Sequence, residues 1–447
     1  GKATFTLRAA GLSAERAAAL AAAQGIAVRG GTVSGELRGG AEKGELTVSG
    51  RLGGRGLAVV SGGRSLPPAS FSADLRLERG TLRVEQGRLS AGEGVGALFS
   101  GTIVEALRPE RSGSVVVDLQ EKALGEVVAS LRGFVPEGWQ GSGFYSGSVQ
   151  LALGPRLRTV SGHLSLRQAS MENPSQSLGI VGITGRIPLS ADLLQVAAKP
   201  RRELSYSREN FPQLVRGGER PEGESVSIDR IRMGQVEAAA VTAVFAGADG
   251  VTRLRRLEIP LFGGTIVGQG FLRPGRGFGY GFDLLVHDLS LLRLCDTVPG
   301  VKGYLSGRVD GVLGVQGEAG GASATTGFMD LWTRSAEGEK MLVSREFLQK
   351  LAGRKLKGIF FRDDRPYDRG EIIASLEEGL VTFRRLQLEH TNLLGVKDLN
   401  VNVASEQNRI ALDHLLKSVR EATLRGRKAA GGAQAPPPVE TEFNWLE

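Results

Sequence analysis

Residues 71–78 read FSADLRLE, and this stretch decides the fold class of the chain. Apolar residues alternate there with polar ones, and the apolar set is Phe71, Ala73, Leu75 and Leu77. A period of two places the apolar side chains on one face of a strand and the polar side chains on the other. The stretch therefore predicts a β-strand that faces water on one side only.

The same alternation recurs along the chain, in the segments 148–153, 160–166, 282–287 and 399–403. Gly-containing turns separate such segments, as β-hairpins require. Parallel β/α folds need helical crossovers between their strands, and few are visible here. We predict a mostly β protein that is built from an antiparallel meander.

The composition favours many short strands over one deep core. Glycine accounts for 65 of the 447 residues, about double its usual share, while aromatic residues make up only 6%. The single cysteine excludes an intramolecular disulfide framework and a cysteine-based zinc site, and the four histidines are widely scattered. We therefore expect no metal and no cofactor.

The termini and the charge limit the possible partners. The sequence contains no apolar run of 18 residues and no signal peptide, and it begins with Gly1, which suggests a processed or truncated piece of a longer protein. The net charge of +8 favours contact with anionic surfaces. Its basic segments, 199–220 and 425–428, lack an aromatic platform, so we expect no nucleic-acid partner.

A few helices are predicted between the strands. Ser13 is a good N-cap for a helix over 13–24. Glycines end the helices predicted over 121–132 and 344–352, and a short helix is expected near 288–295. The last helix, over about 408–425, is amphipathic, because its leucines form one stripe.

The sequence also contains internal repeats. SGELRG at 34–39 is followed by SGRLGG at 49–54, and SGSVQL at 146–151 by SGHLSL at 161–166, with the same spacing of 15 residues. A further element of this type is SGRVDG at 306–311. Repeated elements predict stacked, similar β modules and an elongated body.

A second marker supports a long repeat. The tetrapeptide GTIV occurs at 101–104 and again at 264–267. From this repeat and from shifts in composition we predict six parts, namely a β-groove module start with its helix at 1–66, a β-groove module at 67–198, a charged loop or linker at 199–224, a β-groove module at 225–320, a β/helix module at 321–425 and a flexible Pro-rich tail at 426–447.

The Gly-punctuated meander, the SG-x-L and GTIV elements and the helix between them resemble the AsmA-like proteins of Gram-negative envelopes. That group includes the TamB and YdbH types and is similar to the bridge-like lipid-transfer proteins. The resemblance covers the chain from about residue 30 to 425. It implies an elongated antiparallel β-sheet that is curled into an open, U-shaped hydrophobic groove carrying phospholipid between inner and outer membranes.

A strand that is wetted on one face must hide its other face. A sandwich hides that face under a second sheet, whereas a groove hides it under lipid. Under the second interpretation, glycines such as Gly50 and Gly162 leave room for an acyl chain. The residues predicted to bind lipid are the inward-facing ones, Val48, Leu52, Leu75, Leu77, Val149, Leu151, Leu153, Leu164, Leu166, Phe282, Leu284, Val286, Val381 and Phe383.

The C-terminal helix is predicted to dock on a membrane or on a partner, because basic residues flank its apolar stripe. The alternative is that it covers the end of the sheet and protects an edge strand. The predicted docking residues are Leu412, Leu415, Leu416, Val419, Arg420, Arg425 and Lys428.

No catalytic constellation is visible, so we do not expect an enzyme. The glycine-rich stretches 92–96 and 275–281 do not open a predicted helix after a parallel strand, as a nucleotide-binding loop does. His163 and His287 fall on the polar side of their strands, and Cys295 is predicted to be a small buried residue.

The expected function is non-catalytic phospholipid transport through the periplasm. The resemblance implies inner and outer membrane surfaces as partners and anchorage to the inner membrane by an N-terminal helix outside this chain. An outer-membrane or periplasmic protein is a further expected partner at the C-terminal end. The alternative is a β-rich envelope assembly or scaffold protein that binds protein partners by strand addition.

Overall fold

The computed structural model describes residues 2–17, 27–43, 45–61, 64–131, 135–154, 157–194, 208–216, 221–275, 278–298, 301–318, 322–351, 364–402, 409–415 and 417. These residues form a mostly β protein with one large antiparallel sheet, as the alternating pattern predicts. The sheet has 21 strands. Every pairing within it is antiparallel, so the predicted antiparallel meander is confirmed.

The strands of this sheet, numbered in chain order, are β1 Lys2–Ser13, β2 Thr32–Glu42, β3 Glu45–Leu57, β4 Ala69–Glu78, β5 Thr81–Ala91, β6 Val95–Val104, β7 Ser112–Ala123, β8 Gln140–Leu153, β9 Leu157–Asn173, β10 Leu178–Asp192, β11 Glu224–Met233, β12 Val236–Ala248, β13 Val251–Leu261, β14 Gly264–Arg273, β15 Gly279–Ser290, β16 Arg308–Glu318, β17 Thr325–Arg334, β18 Arg369–Glu377, β19 Leu380–Thr391, β20 Lys397–Asn402 and β21 Arg409–Ala411.

Strands that follow one another in the sequence are also neighbours in the sheet, from β1 to β20. Both β20 and β21 pair with β19, each with a different part of it. Within the described residues the sheet is not closed, because β1 pairs with β2 alone and β20 and β21 pair with β19 alone.

Among the described residues, the short helices are α1 Ala14–Ala17, α2 Leu124–Ser130, α3 Phe211–Arg216, α4 Leu291–Thr297 and α5 Arg345–Leu351, and a further helical turn covers residues 412–415. Two 3₁₀ turns are Pro174–Gln176 and Ala322–Ala324. Two small sheets accompany the large one, the first with strands Ala27–Val28, Val59–Ser61 and Arg64–Ser65, and the second with Leu342–Val343 and Arg365–Pro366.

The odd-numbered strands all run in the same direction, since neighbours are antiparallel. The helices α1, α2 and α4 follow β1, β7 and β15, and α5 follows β17, so these four helices lie at one end of the sheet. We call this end the helix rim. The segment that contains α3 follows β10 and therefore leaves from the opposite rim.

Three of the predicted helices are found, and two of them begin later than predicted. The helix predicted over 121–132 begins at Leu124, and the one near 288–295 begins at Leu291, because the preceding residues complete β7 and β15. The helix over 344–352 is confirmed as α5, whose first turn is capped by the Ser344 Oγ that accepts a hydrogen bond from Phe347 N at 3.2 Å.

Two predicted helices extend beyond the described residues. The first, over 13–24, begins at Ala14, and residues 18–24 lie outside the described part. The C-terminal one does not begin at residue 408 or so, because Arg409–Ala411 pair with β19 as a strand. Residues 412–415 and 417 are helical, and the helix as a whole is not confirmed.

Candidate functional site

One face of the sheet is apolar along its whole length. Residues that pair directly in an antiparallel sheet lie on the same face, so the register can be followed from strand to strand. From β1 to β10 this gives a row made of Leu7, Leu37, Gly50, Leu75, Val84, Gly101, Val115, Leu151, Val160 and Ala191. We call the face that carries this row the apolar face.

The apolar face continues to the C-terminal end of the sheet. Leu166 lies on the same side of β9 as Val160, and its register partners carry the face on to β19. This second row is made of Leu166, Gly185, Val226, Ala243, Leu257, Gly268, Leu284, Leu313, Met329, Ala374 and Phe383.

All fourteen residues predicted to bind lipid lie on this face. Leu77, Val286 and Val381 are buried, and the others are half-buried. The alternating pattern therefore placed them on one common surface, which links β3 to β19. Their binding role stays a prediction.

The glycines on this face have a role that the sequence did not indicate. A Cβ on Gly50 would lie 2.0 Å from Glu36 O, and a Cβ on Gly162 would lie 2.1 Å from Ser148 O. Both glycines also have a positive φ, +153° and +154°. Close approach of the neighbouring backbone thus accounts for both glycines, and room for an acyl chain stays a prediction.

The opposite face is polar in the N-terminal strands. Arg8, Glu36, Arg51 and Asp74 form one register row there. Arg51 Nε donates to Asp74 Oδ1 at 2.7 Å, and this hydrogen bond lowers the pKa of Asp74. The two faces of the sheet therefore differ in chemistry: one side offers ion pairs and the other hydrocarbon.

Near the C-terminal strands, part of the apolar face is covered at the helix rim, and we call this cover the roof. The roof consists of α4, α5 and the small sheet that pairs Leu342–Val343 with Arg365–Pro366. Beneath it lies an apolar pocket of ≈ 480 Å³, which we call the roofed pocket. Its side chains come from the sheet at Leu284, Val286, Leu313, Leu331, Ile372, Leu386, Leu388 and Val401 and from the roof at Leu291, Leu294, Leu305, Phe347 and Tyr367.

The size of the roofed pocket falls within the range of small-molecule sites, roughly 300–1,000 Å³. It is about three times the volume of an engineered apolar cavity of ~150 Å³ that holds benzene. The lining is almost entirely hydrocarbon. Such a pocket fits a long aliphatic chain and offers few polar groups to a compact polar ligand.

Glu339 ties the roof to the sheet. Its Oε1 accepts hydrogen bonds from Ser290 Oγ at 2.9 Å and from Gly307 N at 3.1 Å. Its Oε2 lies 2.9 Å from Arg308 Nε. The hydroxyl of Tyr367 donates to Ser306 O at 2.6 Å, and burial raises the pKa of this tyrosine. These contacts join the roof to the end of β15 and to the start of β16.

The strands under the roofed pocket are covered on their other face as well. Phe211 of α3 packs there against Leu285 and Val312, and Trp332 meets the Phe211 ring at a centroid distance of 5.0 Å. The sequence pattern alone did not predict this contact. The signal was the run DLLV at 283–286, since two adjacent leucines on one strand must face opposite sides.

Glu371 is buried on the same covered side and is surrounded by arginines. Arg208 NH1, Arg369 NH2 and Arg385 NH1 lie 2.7, 2.8 and 3.0 Å from its carboxylate oxygens. Burial acts to raise the pKa of Glu371, but the hydrogen bonds from these arginines outweigh burial and lower it to about 2. Arg208 also contacts Asp330 at 2.8 Å, so this cluster fixes the segment before α3 to β17 and β18.

The remaining candidate residues are placed as follows. His163 and His287 lie on the face opposite the apolar face, and His287 Nδ1 is 3.1 Å from Asp310 Oδ1. Cys295 is buried in α4, and burial raises the pKa of its thiol. Residues 92–94 form a turn before β6, and Gly279 begins β15, so the described parts of both glycine-rich stretches open no helix.

The predicted docking residues are only partly described. Leu412 and Leu415 are half-buried, whereas Leu416, Val419, Arg420, Arg425 and Lys428 lie outside the described residues. In the part of the chain that the structure covers, no group of three or more His, Cys, Asp or Glu side chains is arranged to hold a metal ion. The helices of that part are all too short or too polar to cross a membrane.

Comparison of the chain with protein-family models, with curated proteins and with solved structures finds no match.

Proposed function

We propose that the apolar face binds the acyl chains of phospholipids and that the protein transports phospholipids between the inner and outer membranes of a Gram-negative-type envelope. The observation that carries the proposal is the continuity of the apolar face from β1 to β19. Acyl chains are bound through apolar area, at about 0.8 kcal/mol per buried CH₂ group. A continuous apolar face meets that requirement without catalytic residues.

In this proposal the sheet is curled into an open, U-shaped groove with the apolar face inside, as the resemblance to AsmA-like proteins implies. A sheet of this many twisted strands does not stay flat, and within the described residues neither β1 nor β20 pairs with a further strand that would close the sheet. The protein acts in the periplasm, and an N-terminal helix outside this chain anchors it to the inner membrane. Headgroups remain in water while the tails lie against the sheet.

The C-terminal helix has a docking role in the same proposal. It places its apolar stripe, which includes Leu412 and Leu415, against a membrane or an envelope protein. The charge of +8 supports an anionic membrane surface as the target.

The test is to extract the purified chain with organic solvent and to measure its phospholipid content by mass spectrometry. Leu151→Glu puts a charge on the apolar face, where we expect it to remove bound lipid. Gln150→Glu is the matched control, because it adds the same charge to the same strand on the opposite face. Circular dichroism of both variants checks that they are folded.

The proposal fails if the wild-type chain contains no phospholipid, or if both variants retain as much as the wild type. Cross-linking from a photoreactive amino acid at position 151 gives an independent measure. We expect lipid adducts from position 151 and none from position 150.

A second function, strand addition by a partner protein, is favoured by the edge strand β1. Within the described residues β1 pairs with β2 alone, and Leu7 and Leu12 are exposed over 57% and 54% of their surface. A free edge of this length is a template for another strand. Because Leu7 and Leu151 belong to the same row, a photoreactive amino acid at each position distinguishes the two functions. Protein adducts at position 7 support strand addition, and lipid adducts alone contradict it.

A further inference from the structure

The hairpin between β19 and β20 exposes three aliphatic side chains. Leu393 is fully exposed, Leu394 is 87% exposed and Val396 is 57% exposed. Each of the three projects from a single tight turn formed by residues 392–396. Scattered exposed leucines are ordinary, but three on one convex turn form a patch that indicates an interaction site.

The turn pairs most of its backbone N–H groups internally. Asn392 Oδ1 accepts hydrogen bonds from Leu394 N at 3.0 Å and from Val396 N at 3.1 Å. Gly395 N donates to Asn392 O, and Asn392 N donates to Val396 O, both at 2.9 Å. Four backbone donors are therefore paired inside the turn. Such a turn loses few hydrogen bonds when it leaves water for a hydrocarbon medium, which offers none in return.

The charges at the base of the hairpin are balanced. Glu389 Oε1 lies 2.7 Å from Lys397 Nζ, and Asp398 Oδ2 lies 2.9 Å from Arg365 NH2. These carboxylates are thus neutralised locally, and they repel an anionic surface less than free carboxylates do. The turn itself, with the sequence NLLGV, carries no charge.

The position of the hairpin relates it to the roofed pocket. Because β19 has an odd number in the sheet, the hairpin projects from the helix rim, where the roof also lies. Leu388 of β19 and Val401 of β20 line the roofed pocket, so the strands that form the pocket also carry the hairpin. A membrane that receives the tip of the hairpin is therefore near the pocket.

We infer that the tip, formed by residues 392–396, inserts into the headgroup and acyl boundary of a phospholipid bilayer and brings the roofed pocket to the membrane surface. The inference rests on the proposed function for the purpose of the pocket, while insertion itself is a separate property. A bilayer is the occupant that suits a convex, uncharged turn with internally paired donors. The tip adds a membrane contact that does not involve the C-terminal helix.

The test is flotation of the whole chain with vesicles of phosphatidylethanolamine and a minority of phosphatidylglycerol. We expect Leu393→Asp combined with Leu394→Asp to reduce the vesicle-bound fraction by on the order of tenfold, since two apolar side chains no longer leave water. Leu107→Asp is the matched control. Leu107 is 68% exposed in the turn after β6, at the opposite rim, and its replacement is expected to leave flotation unchanged.

A second measurement follows the tip directly. In Leu393→Trp the added indole is expected to shift its emission to the blue with vesicles and to be quenched by brominated acyl chains, unlike Leu107→Trp. The inference is overturned if the wild-type chain does not float, if the double variant floats as well as the wild type, or if the emission of Leu393→Trp does not change. A protein groove is then the alternative occupant of the tip.

The phospholipid content of the same preparations separates this inference from the proposed function. If the double variant no longer floats but keeps its normal lipid content, insertion of the tip is supported independently of lipid binding by the apolar face. Flotation of a wild-type chain that contains no lipid contradicts the proposed function and leaves the tip in place.

Discussion

Leu151 in β8 and Leu284 in β15 occupy the same face of the sheet, and both are half-buried, yet their surroundings differ. Leu284 lines the roofed pocket under α4 and α5. Leu151 lies near the far end of β8, whereas α2 packs against Gly141 near the start of that strand. The comparison shows that alternation determines which face a residue occupies, while the connections between strands determine what covers that face.

The back of the sheet shows the same contrast. Around Leu151 the neighbouring residues Gln150 and Ala152 face a side that carries exposed polar residues. Behind Leu284 the adjacent Leu285 is buried under Phe211 of α3. The strands β15 and β16 thus have a packed element on each face, whereas α2 packs against the start of β8, away from Leu151. We therefore expect stability to be concentrated in the C-terminal strands.

The largest expected effect is a difference between the free energies of unfolding that are lost on charging Leu284 and on charging Leu151. Leu284→Asp places a carboxylate against the apolar roof, and we expect it to lower the free energy of unfolding by about 3–4 kcal/mol, because the carboxylate loses part of its hydration there without gaining a partner. Leu151 lies outside the roofed pocket, so a smaller cost of about 1 kcal/mol is expected for Leu151→Asp. Urea denaturation followed by circular dichroism measures both values. Equal losses would mean that the roof does not keep water from Leu284.

The next effect concerns two equivalent positions. Gly50 and Gly162 have nearly the same φ and the same close contact with a carbonyl oxygen of the preceding strand. Alanine at either position combines strain with a backbone clash, so we expect a loss of about 2–3 kcal/mol for each. Gly279→Ala is the control, because its Cβ would meet only Arg273 Cβ, at 3.9 Å. Unequal losses at positions 50 and 162 would argue against their equivalence.

These glycines show what the sequence repeat represents. The paired SG elements occupy β2 and β3 after α1, and β8 and β9 after α2, so the repeat of 15 residues is a repeated pair of strands. The GTIV tetrapeptides lie in β6 and β14, each one strand before the strand that leads to a helix. They stand at opposite ends of those strands, however, and the longer repeat is therefore only approximate.

The strands and their apolar face were predictable because period-two alternation is local. The roof was not predictable, since it depends on contacts such as Ser290 with Glu339, far apart in the sequence. The covering of Leu285 by Phe211 has the same origin. The exposed hairpin tip was missed as well, because Leu393 and Leu394 in a short apolar stretch look like part of a strand until the turn is seen.

The arginine cluster around Glu371 is expected to make the stability of the fold depend on pH. Since the pKa of Glu371 is lowered to about 2, its ionised form favours the folded chain above about pH 4, the range of an unfolded glutamate. This contribution is lost as the pH falls from about 4 towards 2. We expect Glu371→Gln to cost about 1.5–3 kcal/mol at neutral pH and to flatten the pH dependence of stability in that interval.

Denaturation at a series of pH values measures this effect. Glu237→Gln is the control, because this glutamate is exposed and its nearest cation, Arg230, is 3.7 Å away. A parallel loss of stability at acid pH in Glu371→Gln and in the wild type would show that the cluster does not hold Glu371 ionised.

The smallest effect tests the roof without adding a charge. Glu339→Gln keeps the shape of the side chain but weakens its bonds to Ser290, Gly307 and Arg308, so we expect a global loss of only about 1 kcal/mol. We expect Glu339→Gln to affect local opening of the roof more than global unfolding, because these bonds join the roof to the strands. Hydrogen exchange at Gly307 N is expected to become faster in this variant, while exchange in β8 stays unchanged. Equally faster hydrogen exchange at Gly307 and in β8 would mean that the roof does not open independently of the sheet. The roofed part of the apolar face would then differ from the rest of it in shape but not in stability.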